Sequence, residues 1–315
     1  WVFSRHFNGS LSGLQLVERV PWVKALGLEW SLGADGLSAP LVVLSGLVTL
    51  LAEVLTAEQL EELDQTGELN IGIGIPKVGS FRLSGEKMWI SLADVADHFL
   101  VIAWTDLEKK KARDHSGMSA FIVERGNAGF SVGRKEDKLG IRSSDTHTIM
   151  YNDVKVPKEN LLGPAGDGFK FTMRTLMGGR IGIAAQALGI ASGAYELALA
   201  YSKTRKAFGT EIMNHQAIAF KLADMATKIE ASRLLCLKAA WDKDNDHDYT
   251  VSSSMAKVYS SETAMWVTTE AVQVHGGYGY VKEYHVERMM RDAKITQIYE
   301  GTSEVQRIVI SRAVL

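Results

Sequence analysis

One carboxylate stands out by its position. In "QIYEGTSEVQ" (297–306), Glu300 lies between two stretches of helical spacing. Before it runs "VERMMRDAKITQIY", with Met289, Ile295 and Ile298 spaced for one buried face; after it comes Gly301 and then "SEVQ". Ser303 and Gln306, three residues apart, read as a capping box that opens a new helix. An acid shown at such a break is either a general base held at a joint or a solvated residue of an ordinary helical turn. Arg180, a charge inside the apolar "MGGRIGIAAQ", needs a partner if its helix is buried, and Glu300 is one candidate.

Three more stretches carry possible binding chemistry. "TRKAFG" (204–209) sets Arg205 and Lys206 at a helix end, where they either complement the helix dipole or clamp a diphosphate beside an aromatic ring. In "QVHGGYGY" (273–280), Gly276 and Gly277 either stop a helix or let backbone approach a phosphate or sugar. In "KMWIS" (87–91), Trp89 and Ser91 fall on one strand face, as core or as the flank of a flat ring with a hydrogen-bonding edge. Other chemistries lack their residues. His215, His247, His275 and His285 have no metal-ligand spacing, and no metal is expected. No Gly-x-Ser-x-Gly elbow and no Gly-x-Gly-x-x-Gly turn opening a strand–helix unit is present. The net charge of −2 provides no basic field for nucleic acid, and the single Cys236 excludes an internal disulfide and fits a reducing compartment.

The elements that must position these residues change along the chain. Residues 1–57 form an apolar segment with three of the seven tryptophans, including the uncharged 17-residue run of 36–52. That run is just short of a bilayer span, so a buried helix and a truncated membrane helix are both open. Residues 58–163 read as a β domain of short β-branched and aromatic runs such as "SFRLSGEKMWIS" and "HTIMYNDVKVP", a sandwich or barrel. Within it, "LEKKKARDHSG" (107–117) reads as an exposed hairpin loop. From 164 to 315 the period is helical, with four long segments and a short fifth joined by short connections, an antiparallel bundle. The fold class is α+β.

Taken in order, "LSGEKMWIS", "KLGIRSSDTH", "YNDVKVPKENLLG", "GGRIGIAAQALGIASGAYELALAYSKTRKAFGTEI", "NHQAIAFKLADMA" and "AVQVHGGYGYVKEYHVERMMRDAKITQIYEGTSEVQRIVISR" resemble the acyl-CoA dehydrogenase family, nearest to bacterial members acting on short or branched acyl groups. The resemblance implies FAD held between a β domain and a C-terminal four-helix bundle, in homotetramers where a neighbouring subunit completes each flavin site. It implies Glu300 as the base that removes the α-proton of an acyl-CoA thioester, with Arg180 near it and Gly301 admitting the acyl chain. Trp89 and Ser91 would flank the flavin ring, Arg205, Phe208, Gln216, Gln273 and Gly277 would contact the adenosine and diphosphate, and Thr302 would touch FAD after the base. Electron-transfer flavoprotein is the implied acceptor, fatty acid β-oxidation the setting and the cytoplasm the compartment.

The resemblance departs at the front. The family's N-terminal helical domain is expected to be largely missing or replaced. "LTAEQLEELDQTG" (55–67) stands where relatives carry a glycine-containing flavin loop, and "LAD" follows "WIS" where "NGG" is usual. Residues 1–52 resemble instead the early part of chain M of NADH–quinone oxidoreductase, which leaves two other expectations. One is a rearranged remnant that oligomerises without flavin; the other is a membrane-associated respiratory component held through residues 36–52.

Overall fold

The computed structural model describes residues 80–315 and the backbone of two N-terminal strands, β1 (Gln15–Val23) and β2 (Leu28–Ala34). The chain divides into two units, Trp1–Leu50 and Leu51–Leu315. In the first, β1 and β2 pair antiparallel with Val20 opposite Trp30. The uncharged run 36–52 and the stretch 55–67 lie outside the described residues.

In the second unit, six strands form two small sheets. One has the order β3-β7-β6, built from β3 (Ser80–Ser91), β6 (Phe130–Lys135) and β7 (Thr146–Pro157). The other has the order β4-β5-β8, built from β4 (His98–Trp104), β5 (Met118–Glu124) and β8 (Leu161–Leu162). Alternation along β3 and β7 turns Phe81, Leu83, Ile149, Val154 and Val156 inward, where they meet Phe99, Val101, Phe121 and Val123 in one core. The end of β4 does not alternate, because its outer face is buried as well. Ile102, Trp104, Met118 and Ala120 pack there with Phe169 from the first long helix.

The connection of β4 to β5 is more ordered than a loop tip. It begins with α1 (Leu107–Lys111), capped by Asp106, whose side chain accepts from the backbone N–H groups of Glu108 at 3.0 Å and Lys109 at 3.1 Å. Its charges stay solvated, as the sequence suggests.

The helical part comprises α2 (Gly168–Thr204), α3 (Gln216–Asp244), α4 (Thr250–His275), α5 (Val286–Ala293) and α6 (Ser303–Val314). Ala184, Ala187, Ala191, Ala194 and Ala198 recur every three or four residues along α2 and are buried. Ala256, Ser260, Ala264, Val267 and Ala271 do the same on α4, so α2 and α4 pack along small-residue seams. Among the described residues, α2 alone is long and apolar enough to cross a membrane by length and composition. Its seam is used within the bundle. The stretch after "QVHGG" is broken up more than its spacing suggests: a 3₁₀ turn at Gly276–Tyr280, the two-turn α5, then another 3₁₀ turn at Lys294–Gln297.

The sandwich and the bundle meet at residues 137–142. The Ile141 N–H donates to Asp292 Oδ1 at 2.6 Å, and Arg291 Nη1 donates to the Leu139 carbonyl at 3.0 Å. A partly buried bond to a carboxylate is worth more than a neutral one. Asp292→Ala is therefore expected to lower stability by about 1–2 kcal/mol in urea denaturation. It should also speed tryptic cleavage at the exposed Arg142; unchanged cleavage would show that this bond does not hold the loop.

Candidate active site

The break before α6 is made by two consecutive left-handed residues, Glu300 at φ 55° and Gly301 at φ 88°. Such a conformation costs free energy at a non-glycine residue and persists only where the surroundings enforce it. Thr302, extended at φ −60° and ψ 165°, is the N-cap, its hydroxyl accepting from the Val305 N–H at 3.4 Å. The cap thus lies one residue earlier than the sequence suggests. Ser303 is the first helical residue, and Gln306 turns back to donate its Nε2 to the Gly301 carbonyl at 3.0 Å. A β-carbon at Gly301 would strike that same amide. Gly301 therefore makes room for Gln306.

Glu300 is not a solvated joint residue; it is 7% exposed. Its carboxylate lies against α2 at Gly179, where a built β-carbon would overlap Oε2 and stand 3.2 Å from Cδ. Burial pushes the Glu300 carboxyl up from 4.5 to about 7, while the positive charges of Lys257 and Arg180 pull it back. Arg180 is buried too, and burial lowers its proton affinity against the opposing charge of Glu300. Its Nη1 donates to Ser254 Oγ at 3.1 Å, and its Nε is buried with no hydrogen-bond partner. Next to the acid, the Tyr299 hydroxyl donates to Gln186 Oε1, and burial raises its proton affinity. A carboxyl that titrates near neutrality, beside two cations, can take and release a proton at working pH.

The other site residues form two further groups. On the sandwich, Trp89 occupies a β-bulge between Lys87 and Ile90, at φ 65°, with its indole 55% exposed. It is not core. Ser91 is half-buried at the end of the same strand, paired with Thr146.

At the far end of α2, Arg205 lies over the Tyr278 ring at 5.7 Å. These two, with Tyr201, His275, Gly276 and Gly277, line an open groove of about 670 Å³. Built β-carbons at Gly276 and Gly277 meet nothing within 4 Å, so backbone faces free space there. Phe208 and Gly209, both at positive φ, form the tight turn of a two-residue hairpin, β9 (Lys206–Ala207) and β10 (Thr210–Glu211). That turn leaves the Phe208 ring 97% exposed. Gln216 opens α3 and Gln273 lies near the end of α4; both are exposed. The structure thus gathers Glu300, Arg180, Gly301 and Thr302 at one place and Arg205 with Gly277 at another. Roughly 39 Å of α2 separates Gly179 from Arg205, at about 1.5 Å per residue.

Sequence reasoning missed Gly179 and Lys257, and it read Gln306 as a capping-box partner of Ser303 rather than as the donor to the Gly301 carbonyl. Lys257 carried a readable signal, a lone cation among small residues in "SSSMAKVYSSE".

A sandwich joined to a helical bundle also has counterparts among known proteins. The domain described as "Acyl-CoA dehydrogenase, C-terminal domain" matches residues 166–315, and its "middle domain" matches residues 70–154. The short-chain specific acyl-CoA dehydrogenase of Megasphaera elsdenii is 53% identical over 237 residues, covering 75% of this chain and 61% of that protein. The acryloyl-CoA reductase (NADH) of Anaerotignum propionicum is 41% identical over 99% of this chain and 82% of its own length. A chain in the solved structure of the electron transferring flavoprotein of Acidaminococcus fermentans superposes with a TM-score of 0.76 at 49% identity, over 80% of this chain and 65% of that one. The chain belongs to the acyl-CoA dehydrogenase family. It spans about three fifths of the length of the short-chain relatives it matches. The resemblance of residues 1–52 to chain M of NADH–quinone oxidoreductase finds no support in these comparisons.

Proposed function

We propose that the protein is an FAD-dependent acyl-CoA dehydrogenase for short or branched acyl thioesters, forming the trans-2-enoyl-CoA with Glu300 as the base. The observation that carries this reading is the Glu300 carboxyl, desolvated to a pKa of about 7 and held at a helix break. The α-proton of a thioester is weakly acidic, so a base poised near working pH serves better than an ordinary carboxylate. Glu300 removes that proton, Lys257 and Arg180 steady the charge that shifts around it, and the start of α6 presents its positive dipole end to the developing enolate. Bound FAD would supply the acceptor for the β-hydrogen as hydride, and electron-transfer flavoprotein is the proposed acceptor beyond it.

The residues fit such a cofactor. Trp89 offers an exposed indole for a flat ring, and the Arg205 groove joins a cation, aromatic rings and two open glycines for a diphosphate and adenosine. As the family resemblance implies, this groove is proposed to serve a neighbouring copy's cofactor in a homotetramer, with Gly277 in its lining and Phe208, Gln216 and Gln273 as further contacts. Gly301 acts here through the turn it permits, and Thr302 through the cap.

The test is anaerobic titration of the purified protein with butyryl-CoA and branched short acyl-CoA thioesters, watching the oxidised flavin band. Bleaching is expected. A colourless protein, or a yellow one that no short thioester bleaches, overturns the reading.

A further inference from the structure

Lys257 is fully buried on α4, 0% exposed, among Ser253, Ser254, Ala256, Ser260 and Ser261. A buried ammonium is costly unless its charge is used. Its Nζ donates to the Gly301 carbonyl, the same oxygen that accepts from Gln306 Nε2. One neutral donor already satisfies that carbonyl, so an apolar residue or a neutral amide at 257 would leave it paired. The positive charge is not needed to pair that carbonyl.

What the charge faces is the turn of two left-handed residues that carries Glu300. Resting on the reading of Glu300 as the base, we propose that Lys257 is its positioning residue: the buried ammonium and the Gln306 amide clamp the Gly301 carbonyl, fix the turn and keep the carboxylate ionisable. Ser254, three residues earlier on the same face of α4, accepts from Arg180, so one helix steadies both cations beside the acid. The other titratable groups around it are Arg180 on α2, Tyr299 on the same segment and Glu304 on α6, which also feels the Lys257 charge. Burial disfavours the ionised form of Glu300, and Lys257 is the larger of the two opposing charges.

The test follows the carboxyl itself. The infrared band of protonated Glu300, assigned by its loss in Glu300→Gln, is titrated in the purified protein, and the pH profile of flavin reduction is measured beside it. In Lys257→Met the band midpoint should rise by about one pH unit or more, and the acid limb of the reduction profile should follow it. Lys257→Gln, which keeps a donor and loses only the charge, should shift in the same way and decides the matter if the Met variant does not fold. Lys257→Arg should return the midpoint towards the parent value. A lower rate at every pH with an unmoved midpoint in the Met or Gln variant reduces Lys257 to packing and overturns the proposal. A Glu300 band that titrates and shifts as expected, in a protein whose flavin no acyl-CoA reduces, would leave the clamp standing and remove only the dehydrogenase reading.

Discussion

Glu300→Gln is expected to lose reduction of its flavin by acyl-CoA and to gain stability relative to the parent as pH rises through neutrality. The first effect is loss of the proton acceptor, a fall of about 10²–10⁴-fold for a general base, read by anaerobic stopped-flow bleaching. The second follows from the same burial. In the unfolded chain the carboxyl ionises near 4.5, whereas in the folded chain it holds its proton to about 7. Below 4.5 both states are protonated, and the parent has its full stability. Between 4.5 and 7 the folded state binds more protons than the unfolded one, so stability falls as pH rises. Above 7 the loss is complete, about 3 kcal/mol for a change of this size. The glutamine has no charge to desolvate and does not follow that slope. The stability difference between variant and parent should therefore swing in the variant's favour by about that amount from pH 4 to pH 8, read from urea midpoints. A difference that stays flat across this range would mean that the carboxylate is solvated in the folded protein, and the base would lose its tuning.

That the acid proposed as the base costs stability bears on what the sequence could show. The change from period-two runs to helical spacing, the small-residue character of α2 and the isolated acid at 300 are local features, and the structure keeps all three. The cap register is not local. Thr302 rather than Ser303 takes the cap because Glu300 and Gly301 are both left-handed, a backbone choice enforced by Gln306 and by Lys257, which is far away in sequence. The same holds for β4, whose final residues read as ordinary strand and are buried on both sides because α2 arrives from outside the sheet. Arg180 was legible as a buried charge in need of a partner, but its hydrogen bond goes to Ser254, with Glu300 acting on it through the field. Pairing across elements sets these details, and one chain read alone shows only that a pairing is required.

Gly179→Ala separates the site from the helix that carries it. Alanine favours a helix interior over glycine by about 1 kcal/mol, so α2 itself should gain from the change. The added β-carbon, however, would occupy the space of the Glu300 carboxylate, whose Cδ would stand only 3.2 Å away. The neighbouring backbone of α2 is fixed by its alanine seam on α4 and cannot retreat, so the carboxylate must move. A displacement on the order of 1 Å at a proton-transferring group costs about 10²-fold in rate. Gly178→Ala is the matched control, because its β-carbon would meet only Lys243 Nζ at 3.6 Å, an ordinary contact with a flexible side chain. It should keep the parent's rate of flavin reduction while gaining the same helix propensity. The expected result is a pair of variants with similar thermal midpoints and rates that differ by about 10²-fold. Equal rates in the two would place the working carboxylate away from Gly179, and the buried position of Glu300 would not be the one in which it takes the proton.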